Sequence, residues 1–152
     1  MDNEIFRDTY RAINERYCPY EKAILTNNAA CSRAQRFCIA EREGVHCASD
    51  EAQGRCVQTL EVLRQQARFA LKATRDSAAL PHAKAMRVQV GGLRGIHSAL
   101  HPEVPPPVRI ADIFGLLVQV VERFGGLDAL PFQSVIQQIA AYQGRPRSRR
   151  RT

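Results

Sequence analysis

A chain of 152 residues in which 45% of the side chains are hydrophobic carries enough apolar content for one packed core, and its 24% charged fraction is that of an ordinary folded domain, so a disordered coil is excluded. The net charge of +7 would suggest an acidic partner if it covered a folded face, but Arg145, Arg147, Arg149, Arg150 and Arg151 crowd the last nine residues, and without them the charge falls to +2. The opening Met1-Asp2-Asn3-Glu4-Ile5-Phe6-Arg7-Asp8 lacks the basic-then-apolar order of a secretory signal, and the longest uncharged apolar run, 113–121, is far short of the roughly 20 residues of a membrane span. A soluble, cytoplasmic protein with no membrane contact is expected.

Taken in chain order, Phe6, Tyr10, Ile13 and Tyr17 follow a four-three-four spacing that predicts an amphipathic helix ending near Cys18-Pro19. Ala23-Ile24-Leu25 and residues 34–40 read as short helical pieces, separated by Asn27-Asn28 and closed by a turn at Gly44. A long helix over about 50–74 follows, with Ser49 or Asp50 as its cap, Gln53 reaching back to Asp50, and Cys56, Leu60, Leu63, Ala67 and Ala70 along one face.

Met86, Val90, Leu93, Ile96 or His97, and Leu100 keep a helical period, although Gly91, Gly92 and Gly95 each weaken a helix by about 1 kcal/mol relative to alanine, so a kinked or broken helix is expected there. Residues 101–107, HPEVPPP, cannot continue it, because successive prolines remove amide donors and favour an extended conformation. Ile110, Ile113 or Phe114, Leu117, Val120 or Val121, and Phe124 then mark an apolar helix stopped by Gly125-Gly126, and a last helix covers about 131–142. These elements together predict an all-α fold. It is a small single-domain helical bundle over 1–143, with a cysteine-rich N-terminal half (18–56), a Pro-rich connector (101–107) and a disordered Arg-rich tail (144–152).

All five cysteines lie in a window of 39 residues, an arrangement that independent placement gives with odds of about one in a thousand. The spacing is Cys18-x12-Cys31-x6-Cys38-x8-Cys47-x8-Cys56, with none of the C-x2-C pairs of zinc fingers, zinc ribbons or thioredoxins. Thiolates carried on several short helices can still converge on one centre, and an iron–sulfur cluster needs about four of them. If residues 32–40 are helical, Cys31 and Cys38 stand two turns apart on nearly one face. Cys47 precedes the long helix, whose dipole favours the metal-binding thiolate, and Cys56 lies in its second turn. These four are therefore the expected ligands, with Cys18 as fourth or alternative; Cys18-Pro19 has the order of the pair that closes some ferredoxin motifs.

Three other readings compete. Cysteine packs as a small hydrophobe, and Cys56 occupies a core position with or without a metal. Disulfides suit a secreted scaffold better than a cytoplasmic one. Zinc would make a closed structural site in which His46, beside Cys47, replaces a thiolate. Wide, irregular spacing over helices favours the iron–sulfur cluster over zinc. His82, His97 and His101 are too dispersed for a metal motif, and the Gly91–Gly95 run reads better as a close helix–helix approach than as a phosphate loop.

No nucleophile–base pair stands out, so the expected function is non-catalytic: a cluster-binding protein for electron transfer, redox sensing or cluster handling, working with a redox or regulatory protein partner. The alternative is a zinc-stabilised or metal-free helical interaction module that binds nucleic acid or an acidic protein through Arg145, Arg147, Arg149, Arg150 and Arg151.

Overall fold

The computed structural model describes residues 16–69 and 81–143. The expected helix over 6–17, apart from its last two residues, and the Arg-rich tail lie outside them, as do residues 70–74 of the helix expected to reach 74, which is corrected to end at Gln66 with Ala67 as its C-cap. Within the described residues the order is α1 (Glu21–Leu25), β1 (Ala34–Ile39), β2 (Arg42–Cys47), α2 (Asp50–Gln66), α3 (Pro81–Met86), α4 (Gly92–Leu100), α5 (Ile113–Phe124) and α6 (Phe132–Ala141). The all-α expectation is thereby corrected: the fold is mixed, mainly helical with a two-stranded antiparallel sheet.

The correction comes from residues 34–47, read as a helical piece and a glycine turn. They form a hairpin in which Ala34 pairs with Cys47, Arg36 with Val45 and Ile39 with Arg42. Its two-residue loop is Ala40-Glu41, with Ala40 held at φ 57°, a left-handed conformation that glycine or asparagine ordinarily supplies. Without that turn signature, the apolar residues Ala34, Phe37 and Cys38 match a helical spacing as well as a strand. Gly44 lies inside β2, opposite Phe37, and is not a turn.

α2 begins where the sequence places it, but its capping differs in detail. Ser49 Oγ accepts from the Ala52 amide at 3.1 Å, a cap whose loss typically costs about 1 kcal/mol. Gln53, expected to reach back to Asp50, instead donates from Nε2 to the Tyr17 carbonyl at 2.9 Å. Arg16 Nε donates to Asp50 Oδ1 at 2.7 Å, so the head of α2 grips the chain segment that carries Cys18.

α3 and α4 form one helical run, joined without a break by a wide π turn over Arg87–Gly91. A wide turn inserts one residue into the run. Gln89, in that turn, is nearly fully buried, and its Oε1 accepts from the Ala23 amide at 3.0 Å, which satisfies a donor in the first turn of α1. The glycines of the run lie against neighbouring helices: a Cβ on Gly91 would stand 2.8 Å from Ile139 Cα, and one on Gly95 2.7 Å from Val135 Cα. They let α4 and α6 approach backbone to backbone.

Leu60, Leu63, Leu93, Ile96, Leu117, Val135 and Ile139 fill the core between α2, α4, α5 and α6. The connector 101–107 has no regular structure, as its prolines require. Gly125, at φ 88°, ends α5 in the left-handed geometry expected of a helix-stop glycine. No helix among the described residues is long and apolar enough to cross a membrane.

Candidate functional site

Two backbone pairings, one side-chain tether and a helix bring four cysteines to one place. Residues 16–18 pair with the free edge of β2: Tyr17 bridges to His46, the Cys18 amide donates to the Val45 carbonyl at 3.0 Å, and the Cys47 amide donates to the Arg16 carbonyl at 2.7 Å. This extended pairing, rather than the end of a helix, fixes Cys18 beside Cys47. Residues 28–30 pair in parallel with the chain around Ile110, through Ala30 N to Ile110 O at 2.9 Å and Ile113 N to Ala30 O at 2.9 Å.

Asp112, the N-cap of α5, makes no side-chain capping bond to its own helix; its Oδ1 accepts from the Ser32 amide at 2.8 Å, and its Oδ2 lies over the first turn near Gly115. Those contacts hold Cys31 against the first turn of α5. Cys56 arrives from the second turn of α2, as its helical phase predicted.

Cys18, Cys31, Cys47 and Cys56 line a single cavity with Pro19, Tyr20, Arg33, Ala34, Ala52, Ile113 and Phe114. Its open centre is small, about 10 Å³, room for one atom-sized guest before any side chain moves. Cys18, Cys47 and Cys56 are buried, while Cys31 is partly exposed at the mouth beside Arg33, whose guanidinium lies 4.3 Å over the Phe114 ring. All five cysteines are free thiols. Among the described residues no group of three or more histidine, cysteine, aspartate or glutamate side chains is arranged to hold a metal ion as the chain stands.

Cys38 is the member of the expected set that this arrangement leaves out. It is exposed on β1 opposite Glu43, four residues beyond the cavity-lining Ala34, and four residues of strand span about 13 Å. The two-turn relation to Cys31 required a helix that does not form. Cys18, the expected spare, takes its place. His46 does not join either: neighbouring side chains of a strand point to opposite faces, and Cys47 is the one turned to the cavity. His97, in α4, and His101, at its C-cap, have ring centroids 4.9 Å apart, and neither lines the thiol cavity.

Two opposing effects act on the thiols. Burial pushes Cys18 up to about 12 from its ordinary 9.0, and burial likewise raises Cys31 and Cys56. Each of the three is raised further by the other thiols of the cavity, Cys56 by Cys18, Cys31 and Cys47. Against this, backbone amides point at the sulfurs. The Tyr20 amide favours the Cys18 thiolate, and the Arg33 and Phe114 amides favour that of Cys31, with Arg33 N to Cys31 Sγ at 3.5 Å.

Cys47 Sγ donates to the Ser49 carbonyl at 3.2 Å, so its proton is engaged by the turn that leads into α2. At Cys18 and Cys31 the amide donors favour the thiolate, whereas burial and the neighbouring thiols favour the protonated form more strongly. Neither the Cys18 pairing nor the Asp112 contact was visible in the sequence; Asp112 before an apolar helix is an N-cap signal, and its capture by Ser32 depends on the tertiary fold.

No family model, curated protein or solved structure matches the chain.

Proposed function

We propose that this protein is a small cysteine-ligated metal protein in which Cys18, Cys31, Cys47 and Cys56 bind an iron–sulfur cluster for electron transfer, redox sensing or cluster handling, with a protein as its redox partner. The observation that carries the reading is that four thiols from four separate segments of the chain line one cavity. Three features agree with it. Four thiolates are the number a cluster takes. Amide donors to Cys18 and Cys31 are of the kind that tune cluster sulfurs. Arg33 at the mouth and Arg55 beside Cys56 supply positive charge for an anionic guest. Cluster entry requires the side chains to turn and the Cys47 contact to Ser49 to open.

The small size of the cavity favours a second reading, a single zinc ion held by the same four thiolates as a structural site. Anaerobic purification followed by an absorption spectrum and iron, sulfide and zinc analysis separates the two. A brown protein with iron and sulfide in equal amounts supports the cluster. One zinc per chain supports the second reading and removes the redox function. A colourless protein with neither metal and five titratable thiols overturns both. Serine at any one of the four positions is expected to lower the bound metal by more than half, since a charged, thiolate-rich centre tolerates loss of a ligand poorly.

A further inference from the structure

Residues 101–109 join α4 to α5, and that task does not account for the side chains they show to solvent. Val108 is 81% exposed and Val104 46%, with exposed Pro105 between them, while Pro106 and Pro107 are half-buried. A connector needs only polar residues and a few prolines, whereas apolar groups gathered on a surface mark a place where another molecule lands.

The backbone here is set by its own chemistry. Each proline ring holds φ at about −65°, and each residue that precedes a proline is kept out of the helical region, so Val104, Pro105 and Pro106 are all extended. The peptide bonds before the three prolines are trans. These constraints define a turn of left-handed polyproline helix, whose period of about three residues brings Pro105 and Val108 to one edge. The turn is clamped on both sides. Before it, the Val104 amide donates to the His101 carbonyl at 3.3 Å and the His101 amide to the His97 carbonyl at 2.8 Å; after it, Arg94 donates to the Val108 carbonyl at 2.9 Å and the Ile110 amide to the Asn28 carbonyl at 3.0 Å.

We infer that residues 104–108 are a docking ligand for a protein domain that reads polyproline helices through a groove lined with aromatic side chains. Such grooves take apolar side chains one turn apart and exploit a ligand that is extended before it binds. Val104, Pro105 and Val108 supply the apolar edge. Among the described residues no hydrogen bond uses the carbonyls of Pro105, Pro106 or Pro107, so they are open to donors from a groove. Because both ends are clamped, little conformational entropy is left to lose on docking. None of residues 101–109 lines the thiol cavity, and the inference is independent of any metal there.

The test presents the full chain to immobilised, purified SH3, WW and EVH1 domains and follows binding by surface plasmon resonance. Saturable binding to at least one of these classes is expected, weakened about tenfold or more by Val108→Glu and by Val104→Glu, because a carboxylate replaces an apolar anchor. Deleting residues 144–152 should leave it unchanged. Both valines are exposed, so the variants should keep the fold, which circular dichroism and the denaturation midpoint check directly. A wild-type chain that none of the domains retains at saturating concentration overturns the inference. Binding that survives both valine substitutions, or that disappears with the Arg-rich tail, overturns it too, since the contact then lies elsewhere.

Discussion

Along the seam between α4 and α6, a Cβ added to Gly95 would stand 2.7 Å from the Val135 backbone, whereas a Cβ added to Gly54 on α2 meets nothing within 4 Å. The seam is held by shape, through close-packed backbones and the buried side chains of Leu93, Ile96, Val135 and Ile139. The thiol region is held by separate polar tethers: Cys18 N to Val45 O, Ser32 N to Asp112 Oδ1, and Gln53 Nε2 to Tyr17 O. Close packing transmits any change of volume, while a hydrogen bond constrains one pair of atoms and leaves the rest of the segment able to adjust. By that argument the close-packed seam is the more rigid half and the tethered thiol region the more yielding one, although Cys18 and Cys56 belong to the same apolar core as the seam.

The same substitution in the two regions is expected to have opposite signs. Gly95→Ala should destabilise by about 2 kcal/mol, because the clash is with backbone and outweighs the helical preference for alanine. Gly54→Ala should stabilise by up to about 1 kcal/mol, since the position is helical, exposed and open. Chemical denaturation of the two variants checks both. A Gly95→Ala protein as stable as the parent would mean that α4 and α6 are not in register contact, and the comparison would lose its rigid half.

Alkaline pH is expected to weaken the thiol region first. In the folded, metal-free chain burial holds the Cys18 thiol up at about 12, against an ordinary 9.0 once unfolded. Between those values the folded state keeps a proton that the unfolded state has released, so the folded state binds more protons and stability falls as pH rises. The contribution is complete below pH 9.0 and is lost progressively towards about pH 12; burial raises Cys56 and Tyr20 in the same direction. Denaturation midpoints measured upward from pH 8 should therefore decline, and a metal-loaded protein, whose thiolates are already deprotonated, should decline less. A flat profile for the metal-free chain would show that these thiols are wetter than their burial implies.

The legible part of the fold is the part written in side-chain periodicity. α5 and α6 begin and end close to their sequence signals, and α2 begins at its serine but ends at Gln66, short of the expected 74; an apolar stripe and a glycine or serine boundary are local properties, whereas nothing in the sequence marks the end of α2 at Ala67. The close approach at Gly91 and Gly95 was also legible, since a run of small residues inside a helical pattern has few other uses. The hairpin was not, because Ala40-Glu41 makes its turn without the residues that ordinarily mark one. That local error carried into the site: reading 34–40 as helix put Cys38 with Cys31. The clustering of cysteines was visible from sequence alone, yet the choice of four depended on a strand pairing at Cys18 and a long-range contact from Asp112. Neither has a local signature.

The smallest expected effect belongs to Cys38, the cysteine that does not line the cavity. Cys38 is exposed on β1, about 13 Å of strand from the cavity-lining Ala34, so Cys38→Ser should change stability by no more than about 0.5 kcal/mol and leave bound metal at the wild-type amount. In the metal-free protein Cys38 should also be the first thiol alkylated, because the reagent reaches it without any opening of the fold, whereas burial keeps Cys18 and Cys56 both covered and protonated. Mass spectrometry of partly alkylated protein gives the order directly. Were Cys38 protected, or were its serine variant to lose metal, the hairpin would have to fold its tip back over the thiols, and the boundary between the yielding and rigid halves would move with it. Early labelling of Cys38 and late labelling of the other four would draw that boundary at the first pair of the hairpin, Ala34 with Cys47, where the strand leaves the cavity.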